Sequence, residues 1–362
     1  MPANALDRAA LDHAVGVATA RARAGELPFE IVGVANADGT IRLDAMTAPG
    51  AARRIGTNAV CLLASITKPI VATAAMRLVQ DGVIGLRAPL ADWLPELRDD
   101  ARAAITPWHV LTHTTGIDEG SIEDLIRDGI DREALVAHVL AMLPSRPLGS
   151  QYAYMTLPFE LLAIAMERAT GEDLTAILRR LVLEPLGMAS TAFDPRAAGL
   201  ADRMAPVTVG SWEGTRLLGS EDPAVAAALV DRYSALRLAG GGLWSTADDL
   251  LRFGRAMLRG GELDGERVLS RVFVDLMTRE TTVDGVGREA NPLQNGAYAL
   301  GWGKPGVASP ASPSAFGHGG KSGTKLWIDP GHDLVYVYLS ASWGMPSEVA
   351  DPPLNAVYGA LR

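Results

Sequence analysis

Strand-patterned sequence stands at both ends of this chain, and helix-patterned sequence fills the interval between them. Near the start, Phe29–Ala35 and Thr40–Met46 read as two strands around a turn at Asn36-Ala-Asp-Gly39. Near the end, Tyr298–Trp302, Phe316–Gly320, Thr324–Asp329 and Leu334–Ser340 read as strands, with a tight turn at Pro330–Asp333. Helical patterns cover Leu6–Ala24, Glu133–Met142, Pro158–Ala169, Asp173–Leu183, Leu250–Leu258 and Leu354–Leu361. An isolated hairpin is marginal in water, so the two strand-bearing ends are expected to share one antiparallel sheet. The expected fold is α/β (α+β): an antiparallel sheet flanked by helices, with an inserted, mostly helical lobe. One domain over 1–362 follows, with the sheet region at about 1–75 and 235–362 and the helical lobe at about 76–234.

Composition narrows the function classes. With 48% apolar residues over 362, the chain can bury a large core. A formal charge of -9 argues against nucleic acid and anionic membranes as partners. The single cysteine, Cys61, excludes an intrachain disulfide and reads as a buried small hydrophobe. The N-terminus has no basic stretch leading into an apolar one, and no apolar run reaches the roughly 18 residues of a membrane span, so a cytoplasmic location is expected. Oligomeric state is left open.

The stretch with chemical content is Ala64-Ser65-Ile66-Thr67-Lys68-Pro69. A short apolar run leads into Ser65, and the helical pattern Ile66, Ile70, Ala74, Leu78 begins at once. Ser65 therefore opens a helix and Lys68 lies one turn in, where residues three apart meet. Free N–H groups at a helix start suit an oxyanion forming beside Ser65. An amine held in an apolar wall favours its neutral form and becomes a base. The bland alternative is a capping serine and a surface lysine. It fits poorly with a chain that has only four lysines among 33 basic residues. Ser322-Gly-Thr-Lys325 repeats the Ser-x-x-Lys spacing, but in strand-like sequence where residues three apart face opposite sides.

Four further segments, in this order, make the chain resemble serine hydrolases of the class C β-lactamase and penicillin-binding-protein-like superfamily, most of all family VIII carboxylesterases. Ile105–Gly116, read as a helix opened by Thr106-Pro107, is similar to that group's "I-T-x-x-H-L-L-T-H-T-S-G". Tyr154-Met155-Thr156 stands where it has Tyr-x-Asn, the distance to Thr170-Gly171 selecting Tyr154 over Tyr152. Gly240–Leu250 is similar to "G-G-L-x-S-T-A-x-D-L", and Phe316–Pro330 to "F-G-H-x-G-x-x-G-x-x-x-x-x-D-P".

The resemblance implies an acyl-enzyme on Ser65, with Lys68 and Tyr154 as one coupled base and acid. It implies an oxyanion hole of the Ser65 and Lys321 N–H groups, with Gly319 and Gly320 letting a strand edge approach the substrate. His318 would line the site and bond the substrate or Tyr154; the competing frame places Lys321 at the third motif. Thr156 replaces an Asn that orients amide side chains, which turns expectation toward small esters and away from lactams. The implied function is a carboxylesterase, with transacylase activity as an extension of it, a β-lactamase or D-aminopeptidase as the alternative and a once-acylated sensor as the second. His109 and His113 have a metal-compatible spacing, but no Glu follows His109 and no third ligand is evident, so neither metal nor cofactor is expected.

Overall fold

The computed structural model describes residues 6–98, 100–213, 215–220, 222–279, 287–288, 298–306 and 309–361. Five antiparallel strands make the main sheet: β1 (Phe29–Ala35), β2 (Thr40–Thr47), β3 (Phe316–Gly320), β4 (Thr324–Asp329) and β5 (Leu334–Leu339). Their order across the sheet is β3-β4-β5-β1-β2. The register that joins the two ends of the chain pairs Ile31 with Leu339 and Gly33 with Val337. The first hairpin closes through Asn36, whose side-chain oxygen accepts the N–H groups of Asp38 and Gly39 at 3.0 Å.

Both faces of the sheet are covered, which is why β1 is buried along its whole length. On one face lie α1 (Arg8–Ala18) and the C-terminal helix Asp351–Tyr358, packed through Leu11, Val15, Leu354 and Val357 onto Val32, Val34, Tyr336 and Tyr338. On the other face are α2 (Thr67–Gln80), α3 (Pro158–Thr170) and α4 (Ala247–Leu258). Helix α4 presses closely on the sheet. A methyl at Gly254 would stand 2.5 Å from Val335 Cγ1, so this glycine sets the approach of helix to strand. Helix α2 is apolar all round, and every residue from Thr67 to Met76 is buried. It is the central rod from which the Ser65 turn hangs.

Three expectations change. The segment Ile105–Gly116 is helical only over Pro107–Leu111. The Thr112 hydroxyl turns back to the Trp108 carbonyl at 2.8 Å and His113 takes φ 55°, a left-handed conformation that ends the helix. His109 and His113 therefore do not share a helix face; His109 Nδ1 instead accepts the Thr106 N–H in a capping box. Tyr298–Trp302 is a turn and not a strand, pinched by an isolated pair between Tyr298 and Gly303, with Gly301 at φ 81° where a Cβ would meet Ala72 at 2.5 Å. The stretch 285–296, which its Gly and Asn-Pro content marks as a loop, falls mostly outside the described residues; its described part, Gly287–Arg288, pairs with Gln151–Tyr152. Among the described residues no helix is long and apolar enough to cross a membrane.

Candidate active site

Ser65 sits on a single 3₁₀ turn, Ala64–Ile66, between the strand pair Cys61–Leu62/Trp244–Ser245 and α2. Ala64 has φ 48°, a backbone state that costs an L-residue roughly 1–2 kcal/mol. The surroundings hold it there. The Leu63 N–H donates to the Leu243 carbonyl at 2.8 Å, the Thr324 hydroxyl to the Leu63 carbonyl at 2.9 Å, and the Ser322 hydroxyl to the Leu62 carbonyl at 2.6 Å. Half-buried Ser65 is thus turned out of the chain at a fixed angle while its neighbours stay buried.

Lys68 is fully buried, one turn into α2. Its Nζ lies 3.1 Å from Ser65 Oγ, 3.2 Å from Thr156 Oγ1 and 2.8 Å from the Gly240 carbonyl oxygen. Three partners satisfy an ammonium fully. They satisfy a neutral amine equally well: Gly240 takes one N–H, Thr156 the other, and the lone pair faces the Ser65 hydroxyl. Burial lowers the amine's pKa to about 7, against the opposing charges of Glu119 and Glu160. The ammonium also lies 4.7 Å from the centre of the Tyr154 ring and 5.6 Å from that of Phe159.

Tyr154 stands at the mouth of the site, 39% exposed. Desolvation around its hydroxyl raises the phenol's pKa, and a hydrogen bond with Ser65 opposes that rise. Behind it is an aromatic wall. The His113 ring is 4.5 Å from Tyr154 and 4.8 Å from Tyr298, with Tyr152 and Phe159 at its edges. His113 Nδ1 accepts the Met155 N–H at 3.2 Å, and burial beside Lys68 keeps the ring neutral.

The strand β3 brings His318, Gly319 and Gly320 to the same place. Gly320 has no room for a side chain: a Cβ would stand 2.1 Å from the Leu63 carbonyl oxygen. His318 does not bond Tyr154; the two rings are 5.9 Å apart. Its Nδ1 meets the Gly319 carbonyl at 2.7 Å and its Nε2 the Tyr298 hydroxyl at 3.0 Å. A carbonyl only accepts, so Nδ1 carries the proton and Nε2 accepts from Tyr298. Burial and the Lys68 charge lower this imidazole's pKa to about 3. Lys321, just past the strand, pairs through its ammonium with Glu123 and lies 6.0 Å from the Trp343 ring.

Three residues that the sequence did not point to complete the surroundings. Glu119 Oε2 accepts the Thr156 N–H at 2.6 Å and also that of Leu157. Fully buried Glu160 pairs with Arg132 and accepts the Ala239 N–H, next to the Gly240 carbonyl that holds Lys68. Tyr298 orients His318. A carboxylate inside the apolar run Phe159–Met166 was a readable signal for Glu160; no pattern marks Glu119, and the strand-like composition around Tyr298 gives no sign of a place at the site. The second Ser-x-x-Lys is dispersed, with Ser322 on Leu62 and Lys325 paired with Asp351. Among the described residues no group of three or more His, Cys, Asp or Glu side chains is placed to hold a metal ion.

A turn-mounted serine, a buried lysine and a tyrosine at the junction of a sheet and a helical layer define the serine hydrolases of the penicillin-recognising fold. The Beta-lactamase family profile matches residues 3–360, and the chain belongs to that family; it is a serine hydrolase of the β-lactamase-like type. Esterase EstB of Burkholderia gladioli is 38% identical over 218 residues, 52% of this chain and only 55% of EstB. Protein Rv1367c of Mycobacterium tuberculosis is 34% identical over 313 residues, 76% of each chain. Among solved structures, a family VIII carboxylesterase superposes with a TM-score of 0.77 at 20% identity, covering 100% of this chain and 99% of the other. EstCE1, described as a hydrolase with promiscuous acyltransferase activity, superposes with a TM-score of 0.78 at 23% identity, covering 97% and 99%. At these identities the superpositions speak for the fold.

Proposed function

We propose that the chain is a carboxylesterase that forms an acyl-enzyme on Ser65 from small esters and passes the acyl group to water or to another alcohol. The observation that carries this reading is the Lys68 amine, buried and 3.1 Å from Ser65 Oγ with its pKa lowered to about 7. Near neutral pH a large share of Lys68 is a free base aimed at the hydroxyl it must deprotonate.

Ser65 Oγ attacks the ester carbonyl while its proton moves to the Lys68–Tyr154 unit. The negative oxygen that develops is held by the Ser65 and Lys321 N–H groups, at the place where Gly320 brings β3 against the Leu63 carbonyl. The ester C–O bond breaks, the proton passes to the departing alkoxide, and the acyl group remains on Ser65. Water or an alcohol then attacks the acyl carbonyl and gives its proton to the same unit; the bond from the acyl carbon to Ser65 Oγ breaks, the acid or new ester leaves, and the unit returns the proton to Ser65. His318 stays neutral and holds the wall with Tyr298.

Esters are favoured over lactams because the Thr156 hydroxyl is engaged with Lys68 at 3.2 Å and the Lys321 ammonium with Glu123. Neither is left as an amide or a cation for a lactam's side chain and carboxylate. The relative named Esterase EstB agrees with this preference. The test is a parallel turnover assay on short-chain p-nitrophenyl esters and a chromogenic cephalosporin, with Ser65→Ala as control. Ester turnover that disappears in Ser65→Ala, with little lactam hydrolysis, is expected. Efficient lactam hydrolysis would instead place the chain with β-lactamases, and one stoichiometric burst without turnover would make it an acylated sensor.

A further inference from the structure

We propose that Glu119 is a positioning residue of the acyl-transfer site, whose carboxylate fixes the Tyr154–Leu157 segment against Lys68 and sets the charge that Lys68 faces. The inference rests on the reading of Ser65 and Lys68 as nucleophile and base.

The geometry is specific. Glu119 lies three residues past Gly116, ahead of the short helix Ile122–Arg127. One of its oxygens, Oε2, receives two consecutive backbone N–H groups, those of Thr156 and Leu157. These stand at the entry to α3, whose N-cap residue Leu157 has no side-chain acceptor of its own. A carboxylate there satisfies donors that would otherwise be orphaned and meets the positive end of the helix. The same segment carries both groups that address the reacting atoms. Thr156 Oγ1 is on Lys68, and Tyr154, two residues upstream, has its ring 4.7 Å from the Lys68 ammonium. A shift of this loop would move both at once.

The second part is electrostatic. The groups that face Lys68 are the carboxylates of Glu119 and Glu160, the phenol of Tyr154, and the imidazoles of His113 and His318. Burial keeps both imidazoles neutral, and Glu160 is paired with Arg132. Glu119 in turn faces Lys68, Glu123, Tyr154 and Tyr233, and Glu123 is committed to Lys321. A negative charge at Glu119 stabilises the ammonium of Lys68 and so opposes its desolvation. Removing that charge makes Lys68 give up its proton at lower pH.

The experiment is the pH profile of kcat/KM for a short-chain ester, by pH-stat titration, in the wild type, Glu119→Gln, Glu119→Ala and Ser65→Ala. The Gln amide oxygen can still accept both N–H groups, so Glu119→Gln isolates the charge. Its acid limb is expected to move to lower pH by about one unit. Glu119→Ala loses the acceptor as well; its kcat is expected to fall roughly 100-fold with KM changed far less, the pattern of misplaced reacting groups. A Glu119→Gln profile that coincides with the wild type, or moves to higher pH, overturns the proposal whatever Glu119→Ala does. Activity that survives in Ser65→Ala overturns the underlying mechanism instead, so the two failures are told apart.

Discussion

The chain carries Ser-x-x-Lys twice, and the two copies meet opposite fates. At Ser65–Lys68 the four residues span a 3₁₀ turn and the first turn of α2, which puts hydroxyl and amine 3.1 Å apart in a buried pocket. At Ser322–Lys325 they span a turn and the start of β4. Ser322 points inward to the Leu62 carbonyl, while Lys325 pairs with Asp351 on the face covered by the C-terminal helix. Spacing alone therefore does not bring a serine and a lysine together; a helix start does, because only there do residues three apart share a side. The second copy still serves the first, since Ser322 and Thr324 tie down the turn from which Ser65 projects.

This contrast can be broken or sharpened by substitution. Ser65→Ala or Lys68→Ala should lower kcat by roughly 10⁴-fold or more with the fold intact, measured by ester turnover and circular dichroism. Full activity in either would end the distinction between the copies. Tyr154→Phe should cost about 100-fold or more, and the Lys68→Ala/Tyr154→Phe double variant should lose far less than the product of the two, because they act as one unit. Additive losses would separate them.

The pH dependence follows from the same pair. Lys68 must be neutral to accept a proton, and its pKa is lowered to about 7, so kcat/KM should rise as pH climbs through about 7 and level off above it. His318, lowered to about 3, should leave no inflection in the range from pH 5 upward. Thr156→Val removes one partner of the Lys68 ammonium and should move that inflection to lower pH, with a fall in kcat of about tenfold. At the second copy, Ser322→Ala should destabilise the fold by about 1 kcal/mol, seen as a lower Tm, with kcat within a few-fold of the wild type. Lys325→Ala, which breaks a pair at the rim of the sheet, should change stability by about 0.5 kcal/mol and leave kcat alone.

Much of this was legible because local chemistry and tertiary role coincide. The β1–β2 hairpin is written in the mostly apolar run Phe29–Ala35, the alternation of Thr40–Met46 and the turn Asn36–Gly39. The placement of Ser65 and Lys68 is written in an apolar run that becomes helical at the serine. Other features were not. Ile105–Gly116 reads as one helix, yet threonine side chains bond back to its carbonyls and end it early. Tyr298–Trp302 has strand composition but is held as a turn by its approach to Ala72 on α2. His318 reads as a partner for Tyr154, and only the tertiary approach of Tyr298 gives its Nε2 another donor.

The sequence by itself determined the strands at both ends, the helix that begins at Ser65, and the one-turn separation of serine and lysine, because these depend on periodicity and on neighbours a few residues away. Tertiary structure alone decided that Thr156 and the Gly240 carbonyl would bind Lys68, that Glu119 and Glu160 would lie close enough to act on its charge, and that Gly320 would meet Leu63. The bonds from Lys68 to Thr156 and to Gly240 join residues 88 and 172 positions apart. No local pattern encodes them; they exist only once the sheet has drawn the two ends of the chain together around α2.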